Sequence, residues 1–133
     1  MPMDYEIDAG RRLVVTRCTG RVSDADIIAY AERIGGDPQF PVEFYSLVDT
    51  SEATEFDISV ELIRDMIRNR RTPTPLRRAI VAPQRKTLAY GLSRLSAAHL
   101  QARGDEVMIF ETSEEALKWL YSSPEANAGQ AAA

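Results

Sequence analysis

Ala79-Ile80-Val81-Ala82-Pro83 is a continuous apolar run closed by a proline, and after a short basic turn Thr87 to Arg103 repeats apolar side chains at helical spacing. A run of this kind without alternation suits a strand covered on both faces, as in a parallel sheet. In the helix, Leu88, Gly91, Leu92, Leu95, Ala98, His99 and Ala102 share one face, which is expected to rest on the sheet. Gly104 then ends it.

Working outward, Val107-Met108-Ile109-Phe110 reads as a further buried strand. Thr112 and Glu115 have the spacing of a capping box before a last helix, Ser113 to about Tyr121. Upstream, Thr72-Pro73-Thr74-Pro75 cannot continue a helix. It closes one predicted from about Asp57 to Asn69, with Val60, Leu62, Ile63, Met66 and Ile67 on its apolar arc. Before that come a strand from Val42 to Val48, ending at Asp49, and a polar loop from Thr50 to Phe56. Ser23 and Asp26 form another capping box, ahead of a helix whose arc is Ile27, Ile28, Tyr30, Ala31 and Ile34. Gly35-Gly36 stops that helix. Two short strands open the chain, Tyr5 to Ile7 and Leu13 to Thr19, with Gly20 as a breaker. The order β-β-α-β-α-β-α-β-α predicts an α/β fold. It has a mixed, mostly parallel sheet of about five strands, the first antiparallel, and helices chiefly on one face. Residues 1–121 are expected to form one domain and 122–133 a flexible tail.

The chain has 133 residues, of which 44% are hydrophobic and 27% charged, a balance that suits a globular core rather than disorder. One cysteine and one histidine exclude an intrachain disulfide and any cysteine or multi-histidine metal cluster. No apolar run approaches a membrane span, and the acidic start lacks a signal peptide's character, so a cytoplasmic location is expected. Fourteen of the 16 basic residues are arginine. With 17 alanines, that usage suggests a GC-rich bacterial source.

The charge is uneven: residues 1–63 carry a net of −8, residues 64–86 a net of +7 and residues 87–133 a net of −3. The acidic whole argues against nucleic-acid binding, which rests on phosphate neutralisation. Within the basic block Glu61 and Asp65 can pair with Arg64 and Arg68 along the helix. Arg70, Arg71, Arg77, Arg78, Arg85 and Lys86 have no local acidic partner. Glycine-rich phosphate loops, a dinucleotide fingerprint and a nucleophile elbow are all missing. A receiver domain would use Asp49, but Glu111 stands where its lysine belongs. Cys18 and His99 read as packed residues rather than a nucleophile and a base. The expectation is therefore a protein that is not an enzyme and carries no metal or cofactor.

Several local patterns resemble the SpoIIAA-like family, the STAS/SEC14-domain proteins, over roughly residues 4–121. They are Gly20 to Asp26, the strand end Leu47-Val48-Asp49-Thr50-Ser51, Arg78 to Pro83 with Tyr90-Gly91-Leu92-Ser93-Arg94-Leu95, and Val107 to Phe110 with Glu114 to Leu120. The resemblance implies an α/β sandwich related to anti-sigma-factor antagonists and, more distantly, to lipid-carrying SEC14 domains. Antagonists carry a phosphorylated serine in an Asp-Ser-Ser-Gly turn. The comparable stretch here is Asp57-Ile58-Ser59-Val60, so a phosphoserine switch is not expected, and Ser51 and Ser59 are only weak candidates. The resulting expectation is a non-enzymatic binding or regulatory module. Its ligand would be an amphipathic anion such as a fatty acid or lipid, or the protein would touch a membrane surface. Arg70, Arg71, Arg77 and Arg78 would hold the anion, and Leu88, Gly91 and Leu92 would wall the chain. The alternative is an interaction module acting as a homodimer or as an antagonist-like partner.

Overall fold

The computed structural model describes residues 2–39, 44–69 and 77–122. Its elements are β1 (Met3–Asp8), β2 (Leu13–Ser23), α1 (Asp24–Gly35), β3 (Tyr45–Asp57), α2 (Val60–Arg68), β4 (Arg77–Val81), α3 (Thr87–Ala102), β5 (Glu106–Phe110) and α4 (Ser113–Leu120). The strands form one five-stranded sheet in the order β1-β2-β3-β4-β5. β1 is antiparallel to β2, and every later neighbour is parallel. Strand order advances in one direction, so right-handed crossovers place α1, α2 and α3 on the same face. Ile80, Val107, Val48 and Ile109 meet Ala97 and Leu100 of α3 on that face. On the other face Leu13, Val15, Leu47, Ala79 and Val81 meet Ala116 and Leu120 of α4. The five-stranded mixed sheet, its antiparallel first strand and the mostly one-sided helices match the expectation from the sequence.

The caps form where the sequence places them. The Ser23 hydroxyl accepts from the backbone N–H of Asp26, while the Asp26 carboxylate accepts from the N–H and the hydroxyl of Ser23, both at 2.9 Å. Thr112 caps α4 by accepting from the N–H of Glu115. Ser23→Ala is expected to cost about 1 kcal/mol of unfolding free energy, read by urea titration. The Ser23 N–H, and then its hydroxyl, hold the Asp26 carboxyl below the ordinary range. A carboxylate held low in the folded state stabilises above its unfolded pKa, about 3.9, and that contribution fades as pH falls through the folded value.

Three expectations are corrected. Gly20 does not end β2, and Thr50 to Phe56 is not a loop: both strands run on to Ser23 and Asp57. The pairing survives through register shifts at Arg17/Thr19 and Gly20/Arg21, with Gly20 at φ 63° absorbing the kink. Ala53 and Phe56 within this polar stretch pack with Cys18, Val22, Ile27 and Ile58, which is why it is ordered as strand. β4 covers only Ser46 to Asp49 of β3, and beyond it the Lys86 ammonium donates to the carbonyls of Ser51 and Ala53.

The third correction is a rotation of α3. Its buried residues are Ala89, Ser93, Ala97 and Leu100, whereas Leu88, Gly91, Ala98 and Ala102 are exposed and Leu92, Leu95 and His99 are half-buried. The small side chains let the helix lie close to the sheet, and the Ser93 hydroxyl is satisfied by donating to the Ala89 carbonyl at 2.8 Å.

Candidate functional site

Arg77 and Arg78 are neighbours in β4 and so point to opposite faces of the sheet. Arg77 lies on the α4 side, 6% exposed, with its guanidinium 3.9 Å from the centre of the Trp119 ring. It donates to the carbonyls of Trp119, Leu120 and Ser122 at 2.6, 3.3 and 3.1 Å and pairs with Glu106. These bonds consume carbonyls that the C-terminus of α4 leaves without helical partners. Arg77 is thus a cap and a clamp, and the expected cluster of Arg77 with Arg78 does not form. Arg70 and Arg71 lie outside the described residues.

Arg78 faces the α1–α3 layer. Its Nε donates to the Ser46 hydroxyl at 3.2 Å, and Ser46 is itself buried. Thr16, fully buried two strands away, shares a 2.6 Å hydrogen bond with the Tyr30 phenol of α1. Burial pushes the Tyr30 phenol up, against the opposing effects of the Thr16 bond and the Arg78 charge. Arg78, Ser46, Thr16 and Tyr30 therefore form a polar group on the inner floor of an otherwise apolar layer. Neither α1 nor α2 above it contains a fully buried residue. A carboxylate or phosphate matches the fork of donors that an arginine presents. Sequence reading singled out Arg78 and missed Thr16, Ser46 and Tyr30. For Thr16 and Ser46 the available signal was a polar residue in the inward phase of β2 and of β3, as Arg78 is in β4.

A concavity open to solvent, about 370 Å³, is lined by Asp4, Tyr5, Ile7, Arg33, Asp37 and Gln39, away from Arg78. The Tyr5 phenol donates to Asp37 at 2.7 Å, and Asp37 in turn raises the phenol's pKa. Arg33 stacks 5.5 Å over the Tyr5 ring, donates to the Met3 carbonyl and faces Asp4 at 3.5 Å. These groups largely satisfy one another at the surface.

The remaining candidates are spread over the molecule. Leu88 and Gly91 are on the solvent side of α3 and Leu92 at its margin, so they do not surround Arg78. Ser51 lies on β3 beside Asp49, whose carboxylate accepts its N–H at 2.9 Å. Ser59 is the N-cap of α2: its hydroxyl accepts from Leu62 N–H, and its own N–H donates to Asp24 at 2.8 Å. Nε2 of His99 is buried and makes no hydrogen bond among the described residues. Among the described residues no three His, Cys, Asp or Glu side chains are grouped to hold a metal ion, and no helix is long and apolar enough to cross a membrane. Cys18 is buried, and burial, then the Asp49 charge, push its thiol up to about 12. A thiol-specific reagent at pH 8 is therefore expected to label native Cys18 at the rate of unfolding and unfolded protein at once. Rapid labelling of the native protein would contradict this placement.

No family model and no curated protein matches this chain. Among solved structures it resembles an uncharacterised protein of the DUF3478 family with a SpoIIAA-like fold from Shewanella loihica. The match has a TM-score of 0.53 at 17% identity and covers 89% of this chain and 91% of that one. The mixed, mostly parallel sheet with three helices on one face and α4 on the other is thus a SpoIIAA-like fold.

Proposed function

We propose that the protein is a non-catalytic binding or regulatory module that takes an amphipathic anion, a fatty acid or lipid, between its helix layer and its sheet. The observation that carries this reading is the inner polar floor. An arginine is held there beside a buried serine and a phenol–threonine pair, beneath two helices that bury none of their residues completely. Ile27 and Ile34 of α1 and Ile63, Met66 and Ile67 of α2 supply half-buried apolar surface for an acyl chain.

The test uses the whole chain with dodecanoate and oleate. Native mass spectrometry is expected to show a one-to-one adduct, and the melting temperature is expected to rise with ligand. Arg78→Ala should weaken binding by about ten- to hundredfold, the worth of a charge-assisted hydrogen bond. Cosedimentation with phosphatidylglycerol vesicles at low salt separates a surface-bound headgroup from a ligand taken inside. Protein that shows no adduct, no thermal shift and no vesicle binding overturns the reading, as does an Arg78→Ala variant that binds unchanged.

A further inference from the structure

We propose that α1 is a lid: its C-terminal end is latched to β1 by Tyr5, Arg33 and Asp37, its N-terminal end is the hinge, and release of the latch opens the inner face of the sheet from the β1 edge toward Arg78. The inference rests on the ligand reading above only for what enters; the latch and its opening belong to the empty protein.

The two ends of α1 are held differently. β2 runs into the helix without a loop, and the Ser23–Asp26 box closes its first turn. Asp24 there accepts the Ser59 N–H at 2.8 Å, which fixes this end against the start of α2. Past the other end, the Tyr5 phenol donates to Asp37 at 2.7 Å. Arg33, in the last turn, donates to the Met3 carbonyl at 2.9 Å and lies 5.5 Å over the Tyr5 ring. Midway, Tyr30 meets the Thr16 hydroxyl and packs edge-on against Tyr5, with ring centres 6.0 Å apart. β1 thus holds the far end of α1 by polar bonds beside open solvent, where water can take the place of each partner. Apolar packing does not fasten α1 as it does α3 and α4, which both bury side chains fully, whereas α1 buries none. Elements with little buried apolar surface open locally, ahead of the global fold.

What lies under the helix gives the opening a use. Ile7, Val14, Ser46 and Arg78 are in register from β1 to β4, and α1 packs over the β1 and β2 members of this row. The row spans three strand spacings, about 14 Å. Its outer member, Ile7, lines the concavity together with Tyr5, Arg33 and Asp37. The latch therefore stands at one end of the row and Arg78 at the other. Lifting α1 uncovers the row from the concavity inward, and it takes the Tyr30 phenol off Thr16, which sits diagonally from Ser46.

Hydrogen exchange of the full chain, followed by NMR, is expected to show amides of residues 27–34 exchanging at least about tenfold faster than those of residues 93–100. Tyr5→Phe keeps the ring and removes only the phenolic oxygen. It should speed exchange in α1 by about two- to tenfold, the worth of one hydrogen bond, and leave α3 unchanged. Asp37→Ala removes the other half of the latch and should act alike, with the double variant adding nothing beyond the larger single effect. Dodecanoate uptake, followed by stopped flow, should quicken in Tyr5→Phe by the same factor. An α1 that exchanges no faster than α3 overturns the lid, as does a Tyr5→Phe effect spread equally over α1, α3 and α4. Local opening in protein that takes up no dodecanoate upholds the lid and defeats the ligand reading. Dodecanoate binding without local opening of α1 does the reverse.

Discussion

Arg77→Ala is expected to lower the free energy of unfolding by about 2–4 kcal/mol, the order expected when acceptors at a helix end lose a charged donor and an aromatic ring loses the cation stacked on it. The loss has three sources. The carbonyls of Leu120 and Ser122 lose the Arg77 donor at the end of α4, and that of Trp119 keeps its Ser122 donors alone. Glu106 loses its partner, and the Trp119 ring loses the planar cover lying 3.9 Å from its centre. Glu106 itself contributes little, because its side chain is 54% exposed and solvent screens it. Glu106→Gln should therefore be mild, and Arg77→Lys, which keeps charge but not the fork, should fall between. Urea titration followed by circular dichroism measures all three. A midpoint for Arg77→Ala no lower than that of Arg11→Ala, a surface control, would sink the clamp. The same expectation removes Arg77 as a probe of ligand binding, since its loss disturbs the fold itself.

Leu120→Ala should cost about 2–5 kcal/mol, the range for emptying a fully buried leucine site. Leu120 is 0% exposed and packs in one cluster with Leu13, Val15, Leu47, Ala79, Val81 and Ala116. Among the described residues α4 is the one helix on its face of the sheet, so none of the other described helices can slide in to fill the void. Leu88→Ala, on the exposed face of α3, should change stability by no more than about 0.5 kcal/mol. If the two variants have equal melting temperatures, the assignment of faces in this fold is wrong.

Element order and sheet type were legible because β-branched runs, capping boxes and prolines each carry their meaning within a few residues. Ser23 with Asp26 and Thr112 with Glu115 are such local signals, and both cap as read. What could not be read depends on partners distant in sequence. Gly20 is a breaker by composition, but a register shift against Ala53 keeps it in the strand. α3 offers two apolar arcs, and helical periodicity alone favours the one with more leucine. The sheet selects the smaller one, because Ala89, Ser93 and Ala97 allow closer approach. Arg77 and Arg78 look equivalent in a basic block, yet one residue of strand pleat sends them to opposite sides. One becomes a clamp on α4 and the other joins the inner floor with Ser46. The hydroxyls of Thr16 and Tyr30 meet only once α1 is laid on β2, which no local pattern announces.

The closing of one face by α4 has a consequence for how the chain is made. Leu13, near the start, and Leu120, near the end of the described residues, share one cluster, and Arg77 waits for carbonyls 42 to 45 residues downstream. As the polypeptide leaves the ribosome, β2, β3 and β4 emerge with the strip of Leu13, Leu47 and Val81 still bare. It stays bare until residue 122 has cleared the exit tunnel. A nascent chain stalled ahead of Trp119 would thus present a sticky sheet and an unmet guanidinium together, the state that chaperones and proteases recognise.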